Sequence, residues 1–128
     1  MIVLDTQSLI WWLDDSPKLS RAGLSAIRRN DVVVIPAICS WEMARLQVRG
    51  KVRFRRSVPE ILREVLQEPG VRLQPLTIEI GVRAGQLSPN EPMDPADQLV
   101  AATALVLRAP LVTSDDQLHG LPGLQILW

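Results

Sequence analysis

The apolar positions of this chain fall into short continuous runs separated by stretches of helical period. Five runs read as buried strands: 2–4 (IVL), 32–35 (VVVI), 72–76 (RLQPL), 111–113 (LVT) and 124–127 (LQIL). The first, second and fourth are almost unbroken Val, Ile and Leu, which suits strands covered on both faces in a parallel sheet. Between them the spacing predicts helices over 7–14, 20–30, 40–50, 58–68, 77–86 and 95–108. Strands alternating with helices predict an α/β protein, with helices on both faces of a mainly parallel five-stranded sheet. The stretch 87–94 (LSPNEPMD) reads as a Pro-rich loop rather than a boundary, so residues 1–128 form one domain.

Composition narrows the function classes. Apolar residues make up 47% of the chain, which excludes disorder. Fourteen basic and fourteen acidic side chains cancel, so whole-molecule charge does not announce a nucleic-acid binder. The single cysteine, Cys39, excludes an internal disulfide framework and a multi-cysteine zinc site; in PAICSW it reads as a small core residue. The opening MIVLDT has no signal-peptide pattern, and no apolar stretch approaches the roughly 20 residues of a membrane span. The expectation is a cytoplasmic protein with no membrane partner.

The chemistry lies in a few acids that fall off the solvated helix faces. Asp5 directly follows the first strand, and Asp115, with Asp116 beside it, follows LVTS. Glu42 is expected in the first turn of the third helix, with Ser40 as its cap. In MDPADQLVAATA, Asp94 is a good N-cap, Pro95 fits the first helical position, and Asp97 falls where a carboxylate meets the helix dipole and can bond back to the cap. Each acid has a local structural use. In a parallel sheet, however, strand ends and the starts of returning helices share one edge, where such folds bind ligands. Two carboxylates about 5 Å apart repel by roughly 3 kcal/mol at an effective dielectric near 20. A divalent cation removes that cost, and carboxylates without imidazole or thiolate suit Mg²⁺ or Mn²⁺. The lone His119, in the turn LHGLPG, reads as a surface residue. Carboxylates and a hard cation with no strong protein nucleophile point to phosphate chemistry.

The stretches IVLDTQSLIWWL, SWEMARLQVRGK, DPADQLVAATALVLRAPLVTSDDQL and PGLQILW resemble the PIN domain, and within it the VapC-type ribonuclease toxins of bacterial toxin–antitoxin pairs. The resemblance implies a three-layer α/β/α sandwich, Mg²⁺- or Mn²⁺-dependent cleavage of RNA, a homodimer and a small antitoxin. DNA is then met only indirectly, through the antitoxin complex. By position it places the acidic quartet, catalytic and metal-holding, on Asp5, Glu42, Asp97 and Asp115, with Asp94, Gln7, Thr113 and Asp116 supporting. Gln7 stands where the family often has histidine or asparagine, and Pro92 and Met93 where it often has a histidine and a basic residue. A non-catalytic PIN-like module that binds RNA or protein is the alternative; the intact acid set argues against it.

Two further stretches concern partners. ARLQVRGKVRFRR carries Arg45, Arg49, Lys51, Arg53, Arg55 and Arg56, a local phosphate-binding patch for RNA on a neutral protein, with Phe54 to stack on a base or anchor the loop. SLIWWL puts five apolar residues in a row on one short helix, more than one face can bury, so Trp11 or Trp12 is expected to meet a second protomer or the antitoxin.

Overall fold

The computed structural model describes residues 1–87 and 93–128. Most of the Pro-rich loop expected over 87–94, Pro92 included, lies outside the described residues. Among those described, five strands form one parallel sheet: β1 (Ile2–Leu4), β2 (Val33–Pro36), β3 (Val71–Gln74), β4 (Leu111–Val112) and β5 (Ile126–Leu127). Their order is β3-β2-β1-β4-β5. Val3 pairs with Val34 on one side and Leu111 on the other, so β1 is the middle strand. The chain therefore builds outward from β1 first to one side and then to the other. The crevice at the carboxyl end of β1 is the switch point where such sheets bind ligands.

The helices are α1 (Thr6–Leu13), α2 (Arg21–Arg29), α3 (Ile38–Val48), α4 (Val58–Val65), α5 (Ile78–Gly85) and α6 (Pro95–Leu107), with a 3-10 turn at Asp116–Leu118. They cover the sheet as a three-layer α/β/α sandwich. Every residue of β1 and β2 is buried, which is why those strands read as unbroken apolar runs. β3 is one of the two edge strands and is only partly covered, and it ends at Gln74 rather than residue 76. Pro75 has no N–H to continue the ladder, and Leu76 is exposed beyond it.

Five of the six helices begin with a side-chain cap. Asp5, Ser20, Ser57, Thr77 and Asp94 accept from the backbone N–H of Ser8, Gly23, Glu60, Ile80 and Ala96. The exception is α3, where the expected cap is wrong. β2 runs directly into the helix through Ala37, which is already helical (φ −59°, ψ −27°) and makes no side-chain cap. Ser40 lies inside α3 and donates its hydroxyl back to the Ala37 carbonyl at 2.7 Å. Glu42 is thus in the second turn, one residue beyond the expected first.

Candidate active site

Asp5 leaves β1 and caps α1 in one step. Its backbone N–H donates to the Val112 carbonyl at 3.2 Å, extending the pairing of β1 with β4. One carboxylate oxygen accepts from the Ser8 N–H at 2.7 Å, and the other accepts the Thr113 hydroxyl. Thr113 also accepts from the Asp115 N–H at 3.0 Å, and the Ser8 hydroxyl donates to the Val112 carbonyl at 3.0 Å. The carboxyl ends of β1 and β4 are laced together around a buried acid. Burial pushes the Asp5 carboxyl up; the bonds from Thr113 and Ser8 oppose the rise, and Asp115 adds to it.

Glu42 approaches from α3. Its Oε1 accepts the Thr6 hydroxyl at 2.6 Å. Partial burial raises its carboxyl, Thr6 opposes the rise, and the charges of Asp94 and Asp5 reinforce it. Asp97, at the start of α6, accepts no hydrogen bond among the described residues; the bond back to the cap does not form. Burial lifts its carboxyl from the usual 3.8 to about 7, and Glu42, Asp115, Asp94 and Asp5 all push the same way. Five carboxylates from four chain segments therefore lie within each other's fields at this edge.

The supporting positions divide. Asp94 caps α6 through the Ala96 N–H at 2.9 Å. Thr113 is fully buried against Asp5. Gln7 is half-buried. Asp116 is exposed on the 3-10 turn and is not among the charges that raise Asp97. Thr6 and Ser8 escape the sequence reading, although DTQS holds the signal: two hydroxyl residues just after a strand-end aspartate. Cys39 is buried as expected, with its thiol pushed by burial to about 12, and His119 is exposed.

The donors are all carboxylates, a set whose chemistry suits a hard divalent cation. The four neighbouring acids add to the burial that raises Asp97, and that added repulsion is what a cation would cancel. Among the described residues no three acidic, histidine or cysteine side chains are already closed round one point.

The basic run lies mainly elsewhere on the surface. Arg45, Arg49, Lys51, Arg53, Arg55 and Arg56 are all exposed. The Arg45 guanidinium lies over the Trp41 ring, 5.9 Å from its centroid, and Arg56 pairs with Glu64. Arg53, Arg55 and Arg56 line a groove of about 670 Å³ between α1 and α4, which they share with Asp14, Asp15, Glu64 and Glu68. Phe54 packs half-buried against the core, so it anchors the loop while lining that groove. Trp11 and Trp12 are also half-buried against the core, and Trp11 leans on Trp128 with ring centroids 5.8 Å apart. More exposed apolar side chains sit on α3, α5 and the turn before α5: Trp41 at 54%, Leu76 at 62%, Ile78 at 83% and Val82 at 55%. Trp41 and Leu76 line an apolar hollow of about 200 Å³.

The PIN domain matches residues 2–124. Ribonuclease VapC22 of Mycobacterium tuberculosis (strain ATCC 25618 / H37Rv) is 30% identical over 129 residues, spanning 99% of this chain and 98% of that protein. Among solved structures, VapBC2 from Rickettsia felis, bound to a DNA fragment from its promoter, superposes with a TM-score of 0.69 at 20% identity, over 98% of this chain and 97% of that one. A toxin-antitoxin complex from Klebsiella pneumoniae gives 0.68 at 20%, over 97% and 95%. VapBC-1 from nontypeable Haemophilus influenzae gives 0.65 at 24%, over 98% and 96%. The solved structures carry the fold and the sequence matches carry the kinship: this chain belongs to the PIN-domain family.

Proposed function

We propose that the protein is a divalent-metal-dependent endoribonuclease and the toxin of a toxin–antitoxin pair. The observation that carries this reading is the gathering of Asp5, Glu42, Asp97 and Asp115 at the carboxyl edge of the sheet, beside the switch point. The 30% identity to a ribonuclease over nearly the whole chain supports the same activity.

Asp5, Glu42, Asp97 and Asp115 would hold Mg²⁺ or Mn²⁺. When bound, the cation supplies charge neutralisation of a phosphodiester and acidification of the attacking water. The protein's own part is to bring these acids to one edge and fix their orientation. Asp5 is pinned by Ser8 and Thr113, Glu42 by Thr6, and Asp115 by the Gln117 N–H, to which its Oδ1 is bonded at 2.9 Å. Asp97 accepts no hydrogen bond among the described residues, so a cation would supply the partner its carboxylate lacks. Cys39, the one thiol, is buried and protonated, and offers no competing nucleophile.

The exposed cations of the 45–56 run bind the RNA backbone. The antitoxin and a second copy of this chain are the protein partners, and the protein works in the cytoplasm; no helix among the described residues is long and apolar enough to cross a membrane. The exposed apolar residues Trp41, Leu76, Ile78 and Val82 are better suited to meet a second copy than Trp11 and Trp12, which are already half-used by the core.

The test is direct. Purified protein cuts single-stranded RNA with Mg²⁺ or Mn²⁺ and stops when EDTA is added. Cleavage that persists through chelation removes the metal from the reaction. Failure of the protein to bind Mn²⁺ at all favours the non-catalytic PIN-like module.

A further inference from the structure

Glu42 has the longest side chain of the four acids and, unlike Asp5 and Asp115, caps no helix or turn. It sits in the second turn of a helix with no side-chain cap, so it has no role at the helix start. The nearest cation along its own helix, Arg45, lies over Trp41 instead. Among the described residues its side chain makes one hydrogen bond, from the Thr6 hydroxyl at 2.6 Å. Asp5, by contrast, has two donors on its two oxygens, and Asp115 and Asp94 each cap a turn.

Thr6 is built to aim that bond. It is the first residue of α1, fixed by the Asp5 cap immediately before it, and it is buried. A β-branched side chain has few χ1 positions, and a buried one cannot turn freely, so its hydroxyl points one way. Donation to one oxygen of Glu42 leaves the other without a partner among the described residues. A carboxylate held by one oxygen and open at the other is a prepared metal ligand; the supports behind such ligands orient them and tune their affinity.

We propose that Thr6 is a positioning residue for Glu42: its hydroxyl fixes one carboxylate oxygen so that the other is presented to the cation. This rests on the metal-dependent reading above. Thr6 touches neither substrate nor cation and acts only through Glu42.

Two substitutions separate this role from packing. Thr6→Val keeps the branched shape and removes the donor; Thr6→Ser keeps the donor and removes a methyl group. In metal-free protein, three-bond NMR couplings of the Glu42 side chain show one rotamer in the wild type and in Thr6→Ser, and averaging in Thr6→Val. Calorimetric titration with MnCl₂ then gives an affinity loss of about tenfold for Thr6→Val, the lower end for removing a ligand's support, with Thr6→Ser close to wild type. On a Glu42→Gln background, Thr6→Val adds no further loss. Wild-type Mn²⁺ affinity in Thr6→Val, or a further loss on the Glu42→Gln background, overturns the positioning role alone. A wild-type protein that binds no Mn²⁺ overturns the metal reading, and this proposal with it.

Discussion

Asp94 and Asp97 stand three residues apart at the start of α6, and only Asp94 uses its carboxylate on the helix. Asp94 accepts the Ala96 N–H at 2.9 Å, while Asp97 makes no hydrogen bond among the described residues and faces the field of four other acids. One local pattern thus separates into a cap and a charged group left free for chemistry. Asp97→Asn is expected to abolish RNA cleavage and leave the circular dichroism spectrum unchanged. Asp94→Asn keeps a good N-cap and costs less than about 0.5 kcal/mol of stability, with cleavage largely retained. Cleavage lost in Asp94→Asn but kept in Asp97→Asn would exchange the two roles.

The burial of Asp97, reinforced by that field, makes metal-free stability depend on pH. The Asp97 carboxyl titrates near 7 in the folded chain against 3.8 when unperturbed. Between these values the folded state holds a proton that the unfolded state has released, so this contribution is full below about pH 4 and is lost as pH rises through 7. Three units correspond to about 4 kcal/mol, but Asp97 is only half-buried, and solvent screening reduces this to about 1–2 kcal/mol. Asp5 and Glu42, both raised, act in the same direction. In EDTA the protein should melt at a higher temperature at pH 5.5 than at pH 7.5. Mn²⁺ or the Asp97→Asn substitution should close most of that gap. A melting temperature that rises with pH over this window contradicts the sign.

What the chain displayed and what it hid follow from how local each interaction is. β1, β2 and β4 were legible because burial on both faces leaves a continuous apolar run, and Asp94 was legible as a cap because an N-cap is a short-range pattern. The start of α3 was not, because Ala37 enters the helix with no capping side chain, so Ser40 offered a false signal two residues inside. The hold of Thr6 on Glu42 depends on where α1 meets α3, 36 residues on, and no spacing rule reaches that far. The resemblance of the motifs to the PIN domain singled out Asp5, Glu42, Asp97 and Asp115 as candidates one by one. Their mutual fields are a property of the folded edge.

The arginines of the basic run share their groove with four acids, which sets a limit on how strongly they can draw phosphate. If they contact RNA, replacing Arg53, Arg55 and Arg56 by Ala removes up to three phosphate contacts. The slope of log K against log salt should then flatten by about 2, at roughly 0.7 per contact for a single strand. Filter binding from 50 to 200 mM NaCl measures this. An unchanged slope with a weakened antitoxin complex would reassign the groove from RNA to protein.

The last prediction concerns assembly, and the burial of the four tryptophans decides where to look. Trp11 and Trp12 lie half-buried on the core, and Trp11 leans on Trp128 at 5.8 Å. An aromatic pair is worth about 0.5–1.5 kcal/mol beyond its buried area, so Trp11→Glu should lower the melting temperature before it says anything about partners. Ile78 and Val82 are different: they lie one helical turn apart on α5, at 83% and 55% exposure, with little core contact to lose. A charge there should leave the monomer folded and disfavour burial of that face. Val82→Glu, and separately Ile78→Glu, should therefore keep the wild-type melting curve at low concentration. If the face joins two copies, sedimentation equilibrium should show the dimer weakened by 2 kcal/mol or more, the range of an interface hot spot. Dimerisation unchanged in both variants, but lost in Trp12→Glu with the fold intact, would return the interface to α1.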